Sequence, residues 1–374
     1  GNVVGQYDAG DERNTVYTTR NACGTHGTHV AGIAAAVANN YIGVAGAAPG
    51  ASLYLVDLGY DDRPQCGMNA ASLVRGIQHI VNGGSIRAEV MNLSIGSAGH
   101  LEGVQDALQA AVGFGIIVVG AAGNTQCVNG RPTNSPISYP AAYEEVWAVG
   151  ATGPSNERAC YSHVGSAEPG GPELFIAAPG GDGNGPGERF DTIYSTDYDV
   201  VNREYTYGWM QGTSMASPLV AGVVALLKSA VPSASNDDIR DAIIATAQDL
   251  GSPGFDPEYG HGLINAAAAY DLLSGDAEPP LPDPDPPPPP PIEQLDLVLP
   301  ELRDVYPISE LDDDGLFTIT NAPLGQLRVT VGHDANGNGT YGEPGELYGE
   351  AVVNVRFDQP NTVVIHYQEV PGGE

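Results

Sequence analysis

Gly115-Ile116-Ile117-Val118-Val119-Gly120 is apolar almost without interruption. A strand with one face in water alternates apolar and polar residues, so an unbroken run reads as a strand buried on both faces. Such a strand needs helices above and below it, and the neighbouring sequence supplies them. Residues 101–112 and 73–81 carry apolar side chains at helical spacing. Residues 51–56, 88–94, 146–149 and 174–177 are further short, strand-like apolar runs. The alternation predicts an α/β fold for residues 1–275: a mostly parallel sheet with helices on both faces. Helices opened by Gly27 and Ser214 are rich in alanine and valine, as expected inside such layers. Sites in open α/β sheets gather at the carboxyl ends of the strands.

This pattern stops at Asp283-Pro284-Asp285-Pro286 and the prolines that run on to Pro291. Residues 276–292 therefore read as a semi-rigid Pro-rich linker without a core. Residues 293–374 change period to two, in segments 316–320, 327–331, 351–355 and 362–366 separated by turn residues. That predicts a small all-β sandwich.

Composition narrows the partners. A formal net charge of −32 disfavours nucleic acid and anionic membranes, because both are polyanions. The same charge makes adaptation to high salt a hypothesis that activity measured against salt would test. No run of 18 or more apolar residues offers a membrane span. Cys23, Cys66, Cys127 and Cys160 permit three pairings if all are bridged. They form no Cys-x-x-Cys and no cluster with histidine at zinc spacing, and an even count in an exported protein favours disulfides. The start, Gly1-Asn2-Val3-Val4, lacks a signal-peptide pattern, as a processed protein or a fragment would.

Three short segments bear on chemistry. Gly24-Thr25-His26-Gly27-Thr28-His29 offers a general base. Gly212-Thr213-Ser214-Met215-Ala216-Ser217-Pro218 offers a nucleophile at a helix start, and Ala121-Ala122-Gly123-Asn124 ends the buried strand with an amide donor. A serine hydroxyl needs a base to take its proton, and the oxyanion that follows needs fixed donors. With Asn39-Asn40-Tyr41-Ile42-Gly43-Val44-Ala45-Gly46, Asn92-Leu93-Ser94-Ile95-Gly96, Ala178-Pro179-Gly180 and Gly260-His261-Gly262-Leu263-Ile264-Asn265-Ala266, residues 1–272 resemble the subtilisin-like serine peptidases, or subtilases.

The resemblance implies an endopeptidase acting on proteins or peptides through an acyl-enzyme on Ser214, with His26 as general base. His29 would be a packed histidine and Ser217 a structural residue. Asn124 and the Ser214 backbone N–H would hold the oxyanion. Substrate would lie along Leu93, Ser94, Ile95 and Gly96, with Ala121, Ala122 and Gly123 as the other wall and Ser138 at the floor. With no acidic residue there, a neutral, broadly hydrophobic pocket is expected. The family's aspartate should precede the histidine by a longer stretch than the 25 residues before His26. A fragment lacking that aspartate, and impaired for it, is expected, with Asp8 as the rival.

The resemblance also implies structural Ca²⁺, held by the Asn40 side chain and the carbonyls of Ala38, Ile42 and Val44. Asp334, Asn336 and Asn338 alternate like the start of an EF-hand loop, although Gly345 stands where glutamate should. Likeness to thermophilic and marine subtilases implies Cys23–Cys66 and Cys127–Cys160 disulfides and a secreted protein. Residues 312–317 and 323–325 resemble carboxypeptidase regulatory-like sandwich modules. The competing reading is an inactive subtilase-fold binding protein with that module as its working part.

Overall fold

A computed structural model describes residues 2–14, 24–59, 69–83, 87–127, 133–168, 170–183, 191–199 and 201–275, together with five strands beyond the proline run. Contacts divide the chain into two units, Gly1–Glu278 and Pro279–Glu374. In chain order the first unit runs β1 (Val3–Asp8), α1 (Gly24–Ala35), β2 (Leu53–Asp57), α2 (Ala70–Asn82), β3 (Val90–Leu93), α3 (Glu102–Gly113), β4 (Ile117–Ala121), β5 (Val146–Thr152), β6 (Ile176–Pro179), β7 (Ile193–Asp199), β8 (Glu204–Met210), α4 (Thr213–Ala230), α5 (Asn236–Thr246) and α6 (Ala266–Ser274).

Strands β3, β4, β5 and β6 form a parallel four-stranded sheet in that order, while β1 and β2 form a separate parallel pair. The unbroken apolar run is β4, and all five of its residues are buried. Its side chains alternate between two cores. Ile117 and Val119 face α4, α5 and α6, through residues such as Val220, Val224, Leu227, Ile239 and Ile243. Val118 faces α2 and α3, through Leu73, Ile77, Val104 and Leu108. Helices thus cover both faces, because period-two side chains on a parallel strand must be sheltered on each side.

Helix α4 is 18 residues long and apolar enough by composition to cross a bilayer, but most of it is buried in this core. It also packs against α1, where a Cβ on Gly222 would lie 2.8 Å from the Ala34 carbonyl oxygen. Only a glycine lets the two helices approach so closely. The antiparallel hairpin β7–β8 closes over α1. Ser195 Oγ and Thr196 Oγ1 donate to the carbonyls of His29 and Thr28.

In the second unit β9 (Asp296–Leu299), β10 (Asp304–Pro307), β11 (Gly325–Gly332), β12 (Leu347–Val355) and β13 (Gln368–Glu369) make one antiparallel sheet in the order β10-β9-β11-β12-β13. A second, facing sheet is not among the described residues. The expected strands at 316–320 and 362–366 and the candidate ligands Asp334, Asn336 and Asn338 lie outside the described residues, as do Cys23 and Cys66.

Candidate active site

The carboxyl ends of β3 and β4 deliver Ser94-Ile95-Gly96 and Ala122-Gly123-Asn124 to one region, and α4 starts there with Thr213 and Ser214. Between Gly212 and Pro218 every residue is buried except Ser214, which is half-buried. Position at the second residue of a long helix places its main-chain N–H among the unpaired donors at the positive end of the dipole.

Pro218 explains part of the local architecture. Lacking an N–H, it leaves the carbonyl four residues earlier, that of Ser214, without its helical partner. Ser94 Oγ supplies the missing donor at 2.9 Å. Ser94 in turn accepts from Asn92 Nδ2 at 3.0 Å, and Asn92 Oδ1 accepts from the buried Ser217 Oγ at 2.7 Å. This chain of bonds ties the first turn of α4 to β3. Ser94, expected in the substrate cleft, therefore spends its hydroxyl on the helix, and Ser217 is structural as expected. Asn92 was not foreseen, although an amide in Val90-Met91-Asn92-Leu93 is the kind of buried polar group that must find partners.

Asn124 is exposed and held in one orientation. Its Oδ1 accepts from Thr213 N at 2.9 Å and from Thr213 Oγ1 at 3.1 Å, which turns Nδ2 to the open side. Thr213 Oγ1 also accepts from Gly123 N at 3.1 Å, and Thr213 is fully buried. Asn124 Nδ2 and Ser214 N lie 3.5 and 3.6 Å from one point, the place a Cβ on Gly212 would occupy. Asn124 Oδ1 lies 3.7 Å from the same point, so the Asn124 carboxamide and the Ser214 N–H border one space beside Gly212.

His26 lies in the first turn of α1, half-buried, and burial alone holds its pKa below the ordinary histidine value. Measured from the Ala34–Gly222 crossing, His26 and Ser214 each sit eight residues toward their helix N-terminus, about 12 Å along the axis. His29 is fully buried; its Nε2 lies 3.1 Å from the carbonyls of both Ile193 and Gly208. Two acceptors on one nitrogen fix it as an N–H donor, so His29 is a packing residue, as expected.

Gly96 and Gly123 bracket Ser138. A Cβ on Gly96 would meet Ser138 Cβ at 3.4 Å, and one on Gly123 (φ +112°) would meet Ser138 Oγ at 2.5 Å. Ser138 is held from both sides, by Ser138 N donating to Ala122 O at 2.8 Å and by the Ser97–Tyr139 bridge. The structure thus packs Gly96, Ala122, Gly123 and Ser138 together; Leu93 and Ala121 are buried at the strand ends behind them. His163, which sequence reasoning missed, stands beside Ser138, with Nδ1 3.3 Å from Ser138 Oγ.

Cys127 and Cys160 are bridged, with Cα atoms 5.6 Å apart, and pin the segment after Asn124 to the one before His163. Asp8 ends β1, the strand on the far side of β2. Its Oδ2 bonds Arg13 Nη2 at 2.8 Å and its Oδ1 accepts from Asp11 N at 2.9 Å, so this buried carboxylate is committed locally. Residues 38–44 form an exposed loop with left-handed Asn39, Tyr41 and Gly43. Asn40 Oδ1 accepts from Ile42 N at 3.0 Å. One amide and three carbonyls fall short of the six to eight oxygens that Ca²⁺ takes, so these residues alone do not complete a site.

Fold and site define the class: an α/β protein with a parallel sheet, a serine at a helix N-terminus, an asparagine side chain held beside it and a histidine on a helix packed against that helix. The chain belongs to the subtilase family, whose model matches residues 2–262. It is 41% identical over 247 residues to a thermostable alkaline protease of Halalkalibacterium halodurans, covering 65% of this chain and 57% of that protein. It is 40% identical over 245 residues to subtilisin BL of Lederbergia lenta, covering 65% and 77% respectively. Among solved structures a protease of Pseudoalteromonas arctica PAMC 21717 matches with a TM-score of 0.59 and 32% identity, over 73% of this chain and 84% of that one. The chain thus spans little more than half of the Halalkalibacterium relative.

Proposed function

We propose that the protein is a serine endopeptidase that cuts peptide bonds in proteins through an acyl-enzyme on Ser214. The observation that carries this reading is the Asn124 carboxamide, held through its Oδ1 by Thr213 next to the Ser214 N–H at the start of α4. Donors fixed in that way stabilise the charge that develops on a carbonyl oxygen under attack. His26 takes the Ser214 proton and later gives it to the leaving amine. Substrate backbone adds as an extended strand along Leu93 to Gly96, with its side chain directed toward Ser138. The Cys127–Cys160 bridge fits export to an oxidising compartment.

The third member of the catalytic set belongs to a strand between β2 and β3. Each of these parallel strands has a free edge among the described residues, and both pack against the core below α2. Both are apolar yet mostly half-buried, unlike the wholly buried β4. One more parallel strand would complete a continuous sheet and bring an acidic group at its carboxyl end beside α1. Asp8 lies beyond β2 and does not serve.

The experiment compares the chain with a form extended at its N-terminus by a strand ending in aspartate. Ser214 labelling by a fluorophosphonate and hydrolysis of a peptide amide should both rise strongly in the extended form. Absence of both in that form would leave the inactive binding protein as the better account.

A further inference from the structure

We propose that Ser138 and His163 form a polar floor in the primary specificity pocket, and that protonation of His163 shifts its preference toward substrates with a carboxylate side chain on the acyl side of the cut bond. The inference rests on the peptidase reading of the site and deepens it. Sequence alone pointed to a neutral, apolar pocket, because the imidazole is distant in the chain from every residue assigned to that pocket.

Ser138 lies between Gly96 and Gly123, the two walls assigned to the pocket, and His163 Nδ1 lies 3.3 Å from its Oγ. A Cβ on Gly123 would meet both Nδ1 and Ser138 Oγ at 2.5 Å, so the glycine lets the pair pack directly against the end of β4. Ser138 and His163 are both half-buried. The ring's other neighbours are the carbonyls of Pro136, Asn124 and Ala122; among the described residues no carboxylate or cation faces it, whether from the end of β4, from residues 135–138 or from its own segment. His163 is itself held by its N–H, which donates to Gly123 O at 3.1 Å.

A hydroxyl can donate one proton and accept two. When His163 is neutral with Nδ1 bare, Ser138 donates to it, and the oxygen lone pairs face the pocket. That floor suits a donor such as a carboxamide, or an apolar chain that stops short. When His163 gains a proton from solvent, Nδ1–H donates to Ser138 and the serine O–H is released toward the pocket. A positive charge then stands behind it. That floor suits a carboxylate, since among the described residues no other negative charge faces the ring. Burial outweighs the carbonyls and keeps the ring's pKa below the ordinary value, so the change falls on the acid side of neutrality.

The test uses binding, which needs no bond cleavage and so stays readable if catalysis fails. Acylated product peptides ending in Glu, Gln or Leu are titrated calorimetrically into the full chain at pH 8 and pH 5. The Glu-to-Gln ratio of association constants should rise at least tenfold on acidification. His163→Asn should abolish the rise, and Ser138→Ala should weaken it, with circular dichroism confirming that each variant is folded. A ratio that does not move with pH, or moves equally in His163→Asn, overturns the proposal; so does failure of all three peptides to bind. Fluorophosphonate labelling of Ser214 on the same samples reports separately on the peptidase reading.

Discussion

Thr213→Val removes one hydroxyl and little else, which makes it a clean probe of how the proposed oxyanion donors are held. Thr213 is fully buried, and its Oγ1 donates to Asn124 Oδ1 and accepts from Gly123 N, both at 3.1 Å. The variant leaves Asn124 with one anchor, the 2.9 Å bond from Thr213 N. Losing one neutral hydrogen bond costs about 0.5–1.5 kcal/mol, which through the rate equation is about 2- to 12-fold in kcat. Deleting the amide outright, as in Asn124→Leu, should cost about 2.7–4 kcal/mol, a figure that comes from a subtilisin itself. Because Thr213 acts through Asn124, the two losses should not add: in the Asn124→Leu background Thr213→Val should leave kcat unchanged. The unpaired Gly123 N–H should also lower stability by about 1–3 kcal/mol, visible in urea unfolding. The assay is kcat and KM on a peptide amide with the extended form, alongside the rate of Ser214 phosphonylation. Fully additive losses, or a rise in KM at constant kcat, would refute this account of Thr213.

Three other perturbations test separate links. His26 must be neutral to act as base, and burial lowers its pKa, so kcat/KM should rise with pH through a midpoint below about 6.5; adding the acidic strand should move that midpoint up, since a nearby negative charge favours the imidazolium. His29 is likewise lowered by burial, so the unfolded chain takes up its proton first; stability should be complete above about pH 6.5 and fall as pH drops through and below that value, with His29→Gln flattening that part of the thermal-melting profile. Replacing Cys127 and Cys160 by serine opens a loop of 33 residues and should cost about 3–4 kcal/mol, read as a lower denaturant midpoint, with the Asn124 segment losing protection from hydrogen exchange first.

Much of the fold could be read from the chain. The run ending at Gly120 had to be buried on both faces, and β4 is. Helices at 73–81 and 101–112 had to present apolar stripes, and α2 and α3 do so against β4 and β3. His26, Ser214 and Asn124 stand out as candidates because each sits in a short segment of small residues that permits close approach. What determined these was local: side-chain period, backbone freedom and the chemistry each residue type can perform.

Other features exist only because distant segments meet. Pro218 signals a broken helical bond, but only packing chose Ser94 as the donor that repairs it. Thr213 reads as part of a motif, while its role depends on β4 ending at the right place to offer Asn124 and Gly123. Gly222 is one of many glycines until Ala34 presses against it. His163 lies 25 residues from Ser138, and no periodicity could place an imidazole beside that hydroxyl. Local sequence sets what each residue can do; the sheet order and the helix crossing set what it does it to, because those contacts are made across the chain and are absent from any stretch of it.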